Sequence, residues 1–429
     1  MRRKFTKSQR LFKRVSKMIP LASQTFSKSY LQYVKGASPL FVTRGHGARI
    51  WDVDGNVYVD MINGLLPVIL GYCDQAVDTA IKRQLKLGIT FSLPSPLELE
   101  LAALLVAEIP GAEMVRFGKN GSDVTTGAIR LARAVTGRDQ VAVCGYHGWH
   151  DWYIGSTTRH LGVPQSTRDL THRFVYNDIT SLEKIFEAAP NQIAAVIMEP
   201  MSYEEPRDNF LAKVKALAHQ HSALLVFDEV ITGFRFALGG AQQLFGVVPD
   251  LSTFGKAMAN GMPLSALVGK RQYMEKASDI FYSFTNGGET LSLAAAIATI
   301  KEIKRRKVIP YLWRLGDFLQ TETNRLLAKH GLTELIKIGG KPCWQVFTFQ
   351  SSGEYSDLEI KTYVQQELLQ AGFLWFGQHN MSFSHTRSQM GRLVATYDRV
   401  FGQLKTLVDT HRLKAELRGG LITNIFKVR

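Results

Sequence analysis

The sequence predicts an α/β fold, a mostly parallel central sheet covered by helices on both faces, together with a smaller α+β part. Short apolar runs, Val141–Cys144, Ala194–Met198, Leu224–Phe227 and Leu264–Val268, alternate with longer stretches of helical period. Such runs suit strands buried on both faces. Charged residues stand just past these runs, Glu199 and Asp228-Glu229 at their ends and Lys256 further on. Ligands of open α/β sheets gather at that edge.

Residues 1–65 read as an N-terminal arm and a hairpin. The arm, Met1–Lys17, is basic and carries Phe5, Leu11, Phe12, Val15 and Met18 at partly helical spacing. It predicts an amphipathic helix that docks on its own or a partner subunit, in preference to a membrane surface. Arg49–Asp60 reads as two strands joined at Asp54-Gly55, a pair suited to a tight turn. Residues 66–310 form the large domain. Within it Met114–Phe117 is a short strand, Gly118–Asp123 a polar turn, and Val124–Val135 a helix with apolar Val124, Ala128, Ile129, Leu131 and Ala132. Gly121 and Ser122 then sit at a helix N-terminus, where free N–H groups and the dipole favour a phosphate and glycine permits close approach. Residues 311–429 read as helices plus strands around Trp344–Phe349, a small C-terminal α+β domain. No internal repeat or low-complexity linker interrupts the chain.

Composition fits a large enzyme. At 429 residues and 45% hydrophobic content there is material for a major and a minor domain. Three scattered cysteines, Cys73, Cys144 and Cys343, make no disulfide framework, which fits a reducing, cytoplasmic setting. No apolar stretch has membrane-spanning length, and no signal-peptide core follows the N-terminal charges. The net charge of +15 is concentrated in the arm and in Lys301–Lys307. Its expected use is to draw an anionic, phosphorylated or nucleotide-linked substrate, with no nucleic acid as partner.

Lys256, in Ser252–Gly261, is the candidate nucleophile. A lysine attacks a carbonyl only where burial or nearby positive charge lowers its pKa, and small neighbours such as Gly255 and Ala257 leave room for an aldehyde. Pyridoxal phosphate also needs an acid against its ring nitrogen and a cradle for its phosphate. Asp228 and Gly121-Ser122 are the candidates. His147–Asp151 packs two histidines and an acid into five positions, but no cysteine or third histidine supports a metal site, and none is expected.

Taken together, Arg116–Arg133, Gly145-Tyr146-His147-Gly148, Glu199-Pro200, Phe227–Arg235, the Lys256 segment and Thr285–Gly288 resemble the class III pyridoxal-phosphate aminotransferases, closest to the glutamate-1-semialdehyde aminomutase branch. The resemblance runs from about residue 35 to 300 with all motifs in order. It implies the fold type I transferase architecture, a homodimer with shared active sites, and pyridoxal 5'-phosphate as cofactor. It implies that Lys256 forms the internal aldimine and shuttles the proton, and that Asp228 pairs with the ring nitrogen. Tyr146 would stack on one ring face and Val230 on the other, with His147 in the cofactor wall. Gly121 and Ser122 would hold the phosphate, and Thr285 would reach the phosphate of the neighbouring subunit.

Departures from that branch bear on substrate. The segment Ala22–Ser29 lacks the arginine that would clamp a substrate carboxylate, Lys119-Asn120 replaces Asn-Ser, and Glu289 follows the Thr285 turn near the phosphate end. Trp149, Trp152 and Tyr153 offer flat amphipathic surface for a sugar-like ring. Trp149, Glu199 and Glu289 are therefore the candidate substrate residues. The expected reaction moves an amino group from a donor, foremost glutamate, to a carbonyl acceptor such as a keto sugar or sugar-acid precursor of surface polysaccharide. A 2,1-aminomutase and a non-catalytic basic binding module on the same fold are the alternatives.

Overall fold

A computed structural model describes residues 3–423. The chain divides into two compact units, one built from the residues up to Asp74 together with those from Pro310 onward, the other from Gln75–Ile309. Strands in chain order are β1 (Val42–His46), β2 (Arg49–Asp52), β3 (Val57–Asp60), β4 (Met114–Gly118), β5 (Gln140–Cys144), β6 (Thr171–Arg173), β7 (Ile193–Met198), β8 (Leu224–Asp228), β9 (Leu251–Phe254), β10 (Ser265–Gly269), β11 (Ile336–Lys341), β12 (Trp344–Phe349), β13 (Phe373–Leu374) and β14 (Gln378–Asn380).

The Gln75–Ile309 unit is built on a seven-stranded sheet of order β4-β10-β9-β8-β7-β5-β6. The pairings β5·β6, β5·β7, β7·β8 and β8·β9 are parallel, while β10 runs antiparallel to both β9 and β4. Every residue of β7 and β8 is buried, because successive side chains feed opposite layers. Ala195, Ile197 and Val226 pack with Ile129 and Leu131 of the Gly121–Thr136 helix on one side. Val196, Met198, Leu225 and Phe227 pack with Phe210 and Val214 of the Phe210–Gln220 helix on the other. That double burial explains why these runs carry no polar alternation. The Gly121–Thr136 helix starts three residues before the predicted Val124 and stops at Gly137, which takes the left-handed conformation that ends helices.

In the other unit the predicted hairpin is β2–β3, and β13 lies parallel to β3, so a strand from the C-terminal part completes the N-terminal sheet β1-β2-β3-β13. Strands β11, β12 and β14 form a separate antiparallel sheet. The arm is a helix, Thr6–Val15, docked on its own unit. Phe5 enters a core with Ile50, Tyr58, Leu374 and Phe376, and the Asp54 carboxylate at the hairpin turn accepts the N–H groups of Lys7 (2.6 Å) and Ser8 (2.8 Å). A carboxylate at that end is favoured by both hydrogen bonding and the helix dipole. No helix of the described residues is long and apolar enough to cross a membrane.

The Val308–Lys329 helix passes against backbone at Gly316, where an added Cβ would lie 1.8 Å from the Pro342 carbonyl oxygen. Gly316→Ala is therefore expected to cost about 1–3 kcal/mol despite alanine's better helix propensity. Urea unfolding checks this, and a midpoint at or above that of the parent protein would contradict it.

Candidate active site

Five strands of the Gln75–Ile309 unit deliver the candidate residues to one sheet edge. Cys144, Met198, Phe227 and Ser252 stand in register across β5, β7, β8 and β9, and Phe117 and Phe254 both pair with Ala266 of β10. The loops that leave these strands start with Gly145-Tyr146-His147, Glu199, Glu229, Gly255-Lys256 and Lys119–Ser122. Strand register thus sets the edge, and the first residues of each loop furnish it.

Lys256 is partly buried in the turn after β9, and its backbone φ is 37°, in the left-handed region. Burial lowers its pKa, Asp228 and Glu199 counteract that, and Arg235 adds to it. Asp228, 6% exposed, accepts from the Val230 N–H at 3.1 Å and faces Thr253 Oγ1 at 3.4 Å through Oδ1. Its Oδ2 lies 2.9 Å from Nδ1 of the buried His147. His147 Nε2 lies 3.1 Å from the Cys144 carbonyl, an acceptor only, so Nε2 carries a hydrogen. The Nδ1–Oδ2 bond then also holds a proton, whichever of the two groups owns it. His147 is a residue that fixes the orientation and protonation of Asp228.

The predicted phosphate turn is well formed. Ser122 is buried, and its Oγ accepts the Trp149 N–H at 3.2 Å. Gly148, at φ 107°, passes so near that a Cβ there would lie 2.3 Å from Ser122 Oγ. A Cβ on Gly121 or Gly255 would meet Val230 Cγ1 at 3.2 or 3.4 Å, so Val230 stands between the phosphate turn and the lysine turn. Glu199 is partly buried and raised in pKa, by desolvation first and Asp228 second; it accepts the Tyr146 N–H at 3.0 Å. Tyr146 is 41% exposed and packs edge-on to Tyr153 at 5.7 Å. A partly buried amine with lowered pKa, a buried acid with its proton partner, and a glycine-serine helix N-terminus fit a phosphate-bearing aldehyde.

The structure bears on three sequence expectations. Of the aromatic trio, only Trp149 is on the surface, at 67% exposure. Trp152 donates Nε1–H to Thr126 Oγ1 at 2.8 Å and Tyr153 its hydroxyl to the Gly145 carbonyl at 2.6 Å; both rings belong to the core and offer no platform. Glu289 is occupied as the cap of the Thr290–Arg305 helix, accepting the Leu291 N–H at 2.6 Å, and it pairs with Lys119 Nζ at 2.9 Å. Burial pushes its pKa up, but the Ser292 and Lys119 bonds outweigh that and hold it below the usual range. The two departures from the aminomutase pattern therefore meet each other. Thr285 lines a surface cavity of about 680 Å³ with Phe91, Leu93, Arg116 and Tyr282, and among the described residues no hydrogen bond joins it to Gly121, Ser122 or Lys256.

Two residues were assigned no role from sequence. Arg235 is buried within electrostatic range of Lys256. Glu229, beside Asp228, accepts the N–H groups of Ala241 and Gln242 at 2.7 Å each and bonds Thr232; burial pushes its pKa up to about 7. The signal for both was their place in the run Phe227–Arg235. No group of three or more His, Cys, Asp or Glu among the described residues is placed to hold a metal ion.

A family model described as aminotransferase class III matches residues 32–384, beyond the stretch that the motifs cover. The 3-aminobutyryl-CoA aminotransferase of Cloacimonas acidaminovorans is 37% identical over 372 residues, covering 84% of this chain and 88% of that protein. A glutamate-1-semialdehyde 2,1-aminomutase of Chloroherpeton thalassium is 33% identical over 424 residues, 93% and 98% of the two chains. Among solved structures, the PLP internal aldimine form of the FumI protein from Sphingopyxis sp. MTA144 superposes with a TM-score of 0.87 at 30% identity, covering 96% of this chain and 98% of that one.

Gly148→Ala adds a side chain to a left-handed glycine and drives it into Ser122. It is expected to weaken pyridoxal phosphate binding to the apoenzyme roughly tenfold or more, by strain of this kind. Titration of apoenzyme followed by absorbance reads this, with thermal stability measured alongside; undiminished affinity would separate this loop from the phosphate turn.

Proposed function

The chain belongs to the class III aminotransferases, pyridoxal-phosphate-dependent enzymes, and from that premise we propose that it moves an amino group from glutamate or a similar donor to a carbonyl carbon that is not α to a carboxylate. The observation that carries the reading is the shared strand edge, which gathers Lys256, the Asp228–His147 pair, Glu199 and the Gly121-Ser122 turn.

Pyridoxal phosphate, when bound, supplies an aldehyde carbon and a ring that draws electrons from the substrate bond being broken. The remaining roles fall to this chain. Burial keeps the Lys256 amine in its nucleophilic form for a larger share of the time, and the same amine, once released, moves the proton from the substrate carbon. Asp228 holds a proton at the ring nitrogen, and His147 keeps Asp228 oriented and supplied. The Gly121 and Ser122 N–H groups take the phosphate, Val230 packs one ring face and Tyr146 the other. Thr285 serves the partner subunit's phosphate in a homodimer. Acid–base work at the substrate carbon falls to Lys256, while Glu199, accepting the Tyr146 N–H, positions the loop that carries that ring.

On substrate, the missing arginine in Ala22–Ser29 and the Lys119–Glu289 pair both oppose glutamate-1-semialdehyde. The similarity to a 3-aminobutyryl-CoA aminotransferase supports a ketone further along a chain. A keto sugar shares the absence of an adjacent carboxylate, and the exposed Trp149 supports it. A cytoplasmic setting is consistent with three cysteines that form no disulfide with one another.

Two measurements test this. Borohydride treatment of the yellow holoenzyme is expected to fix the cofactor to the peptide carrying Lys256, while Lys256→Ala protein retains none after denaturation and loses roughly 10²–10⁴-fold or more of its activity. Labelling elsewhere sinks the lysine assignment. Turnover of a panel of β-keto acyl thioesters, keto sugars and semialdehydes is expected to require an added amino donor; turnover without one marks an intramolecular shift instead.

A further inference from the structure

Charge is unevenly distributed along the chain. Twelve of the 52 lysines and arginines and none of the 37 acids precede Asp52, so this segment carries +12 of the net +15. The other basic cluster is largely paired where it lies: Lys301 pairs with Glu100 at 2.8 Å, Arg306 with Glu302 at 2.8 Å, and Lys304 with Glu108. The arm is not neutralised. Lys4, Lys7, Arg10, Lys13, Arg14 and Lys17 are all exposed, and among the described residues none of them has an ion pair.

Their arrangement is a row on one side. With 3.6 residues per turn, Lys7, Arg10 and Arg14 fall within about 60° of one another and span about 10 Å of the Thr6–Val15 helix, opposite Phe5 and Phe12. Phe5 is buried in its unit's core and Phe12 packs edge-on to Tyr30 at 5.0 Å, so the helix's apolar side is already covered. Asp54 bonds the first turn and fixes the helix on the hairpin, which leaves the cations facing outward. Met18, just past the last turn, is 73% exposed beside them.

We propose that this face docks the protein peripherally on an anionic lipid bilayer. Headgroup phosphates form a plane of negative charge, which a straight row of cations meets without needing any specific geometry, and each cation adds its own attraction. Met18 gives the row an apolar point that the headgroup layer accepts. Nucleic acid suits the face less well, because the helix's own rings are turned into the protein and leave no stacking platform for bases. With no apolar face left to insert, the attachment is reversible and sensitive to salt.

Co-sedimentation of the purified holoenzyme with vesicles tests this, using phosphatidylcholine alone against an equal mixture with phosphatidylglycerol. Partition onto the mixed vesicles is expected to be roughly tenfold greater or more at low salt, from the summed attraction of four or more cations. It is expected to vanish in 1 M salt, where screening acts over about 3 Å. The K7Q/R10Q/R14Q/K17Q variant should lose the preference while keeping wild-type transamination and melting temperature, and the charge-keeping K7R/K13R/K17R variant should retain it. Equal partition of the wild-type protein onto both vesicles overturns the proposal, as does unchanged binding by the glutamine variant. Saturable binding of a single-stranded DNA probe with no vesicle binding also overturns it.

Discussion

Two carboxylates leave the end of β8 on consecutive residues, both buried, and much of the surrounding structure is arranged to make that tolerable. A buried acid is costly unless donors surround it. Asp228 draws on the loop after β5 through His147, on its own turn through the Val230 N–H, and faces Thr253 on β9. Glu229 binds the N–H groups that start the Ala241–Phe245 helix, together with Thr232. One acid thus ties neighbouring strand ends together at the functional edge, while the other folds the following loop back beneath it. Burial raises the Glu229 pKa to about 7, against the pull of the Thr232, Ala241 and Gln242 donors that hold its carboxylate.

The same logic governs the lysine. Lys256 is partly buried with Asp228 and Glu199 in range, and desolvation works against charge on the amine just as it works against charge on Glu199. Desolvation thus pulls the lysine and the glutamate in the same sense, each toward its neutral form.

Much of this was legible in the sequence because burial on two faces leaves a plain mark. The runs Ala194–Met198 and Leu224–Phe227 could be read as core strands, and the residues just past them fall at one edge by register alone. What could not be read depends on partners distant in sequence. Trp152 and Tyr153 look like any exposed aromatic pair until Thr126 and the Gly145 carbonyl are seen to hold their polar atoms inside. Lys119 and Glu289 each read as an isolated departure, and only the fold brings them to 2.9 Å. Strand β13 has two residues, too few for any pattern, yet it completes the N-terminal sheet. The antiparallel course of β10 was hidden for a similar reason, because an apolar run does not state its direction.

The backbone at Lys256 carries one more implication. A φ of 37° is comfortable for glycine and tolerable for asparagine, the residue found at φ 46° four positions later, but it strains a long side chain. A sequence designed only to fit this backbone would place glycine at position 256 and gain stability. With lysine there instead, the turn holds a strained backbone, as do the turns at Leu66 (φ 83°) and Phe234 (φ 58°), and a change of residue at position 256 would act on that strain as well as on the side chain.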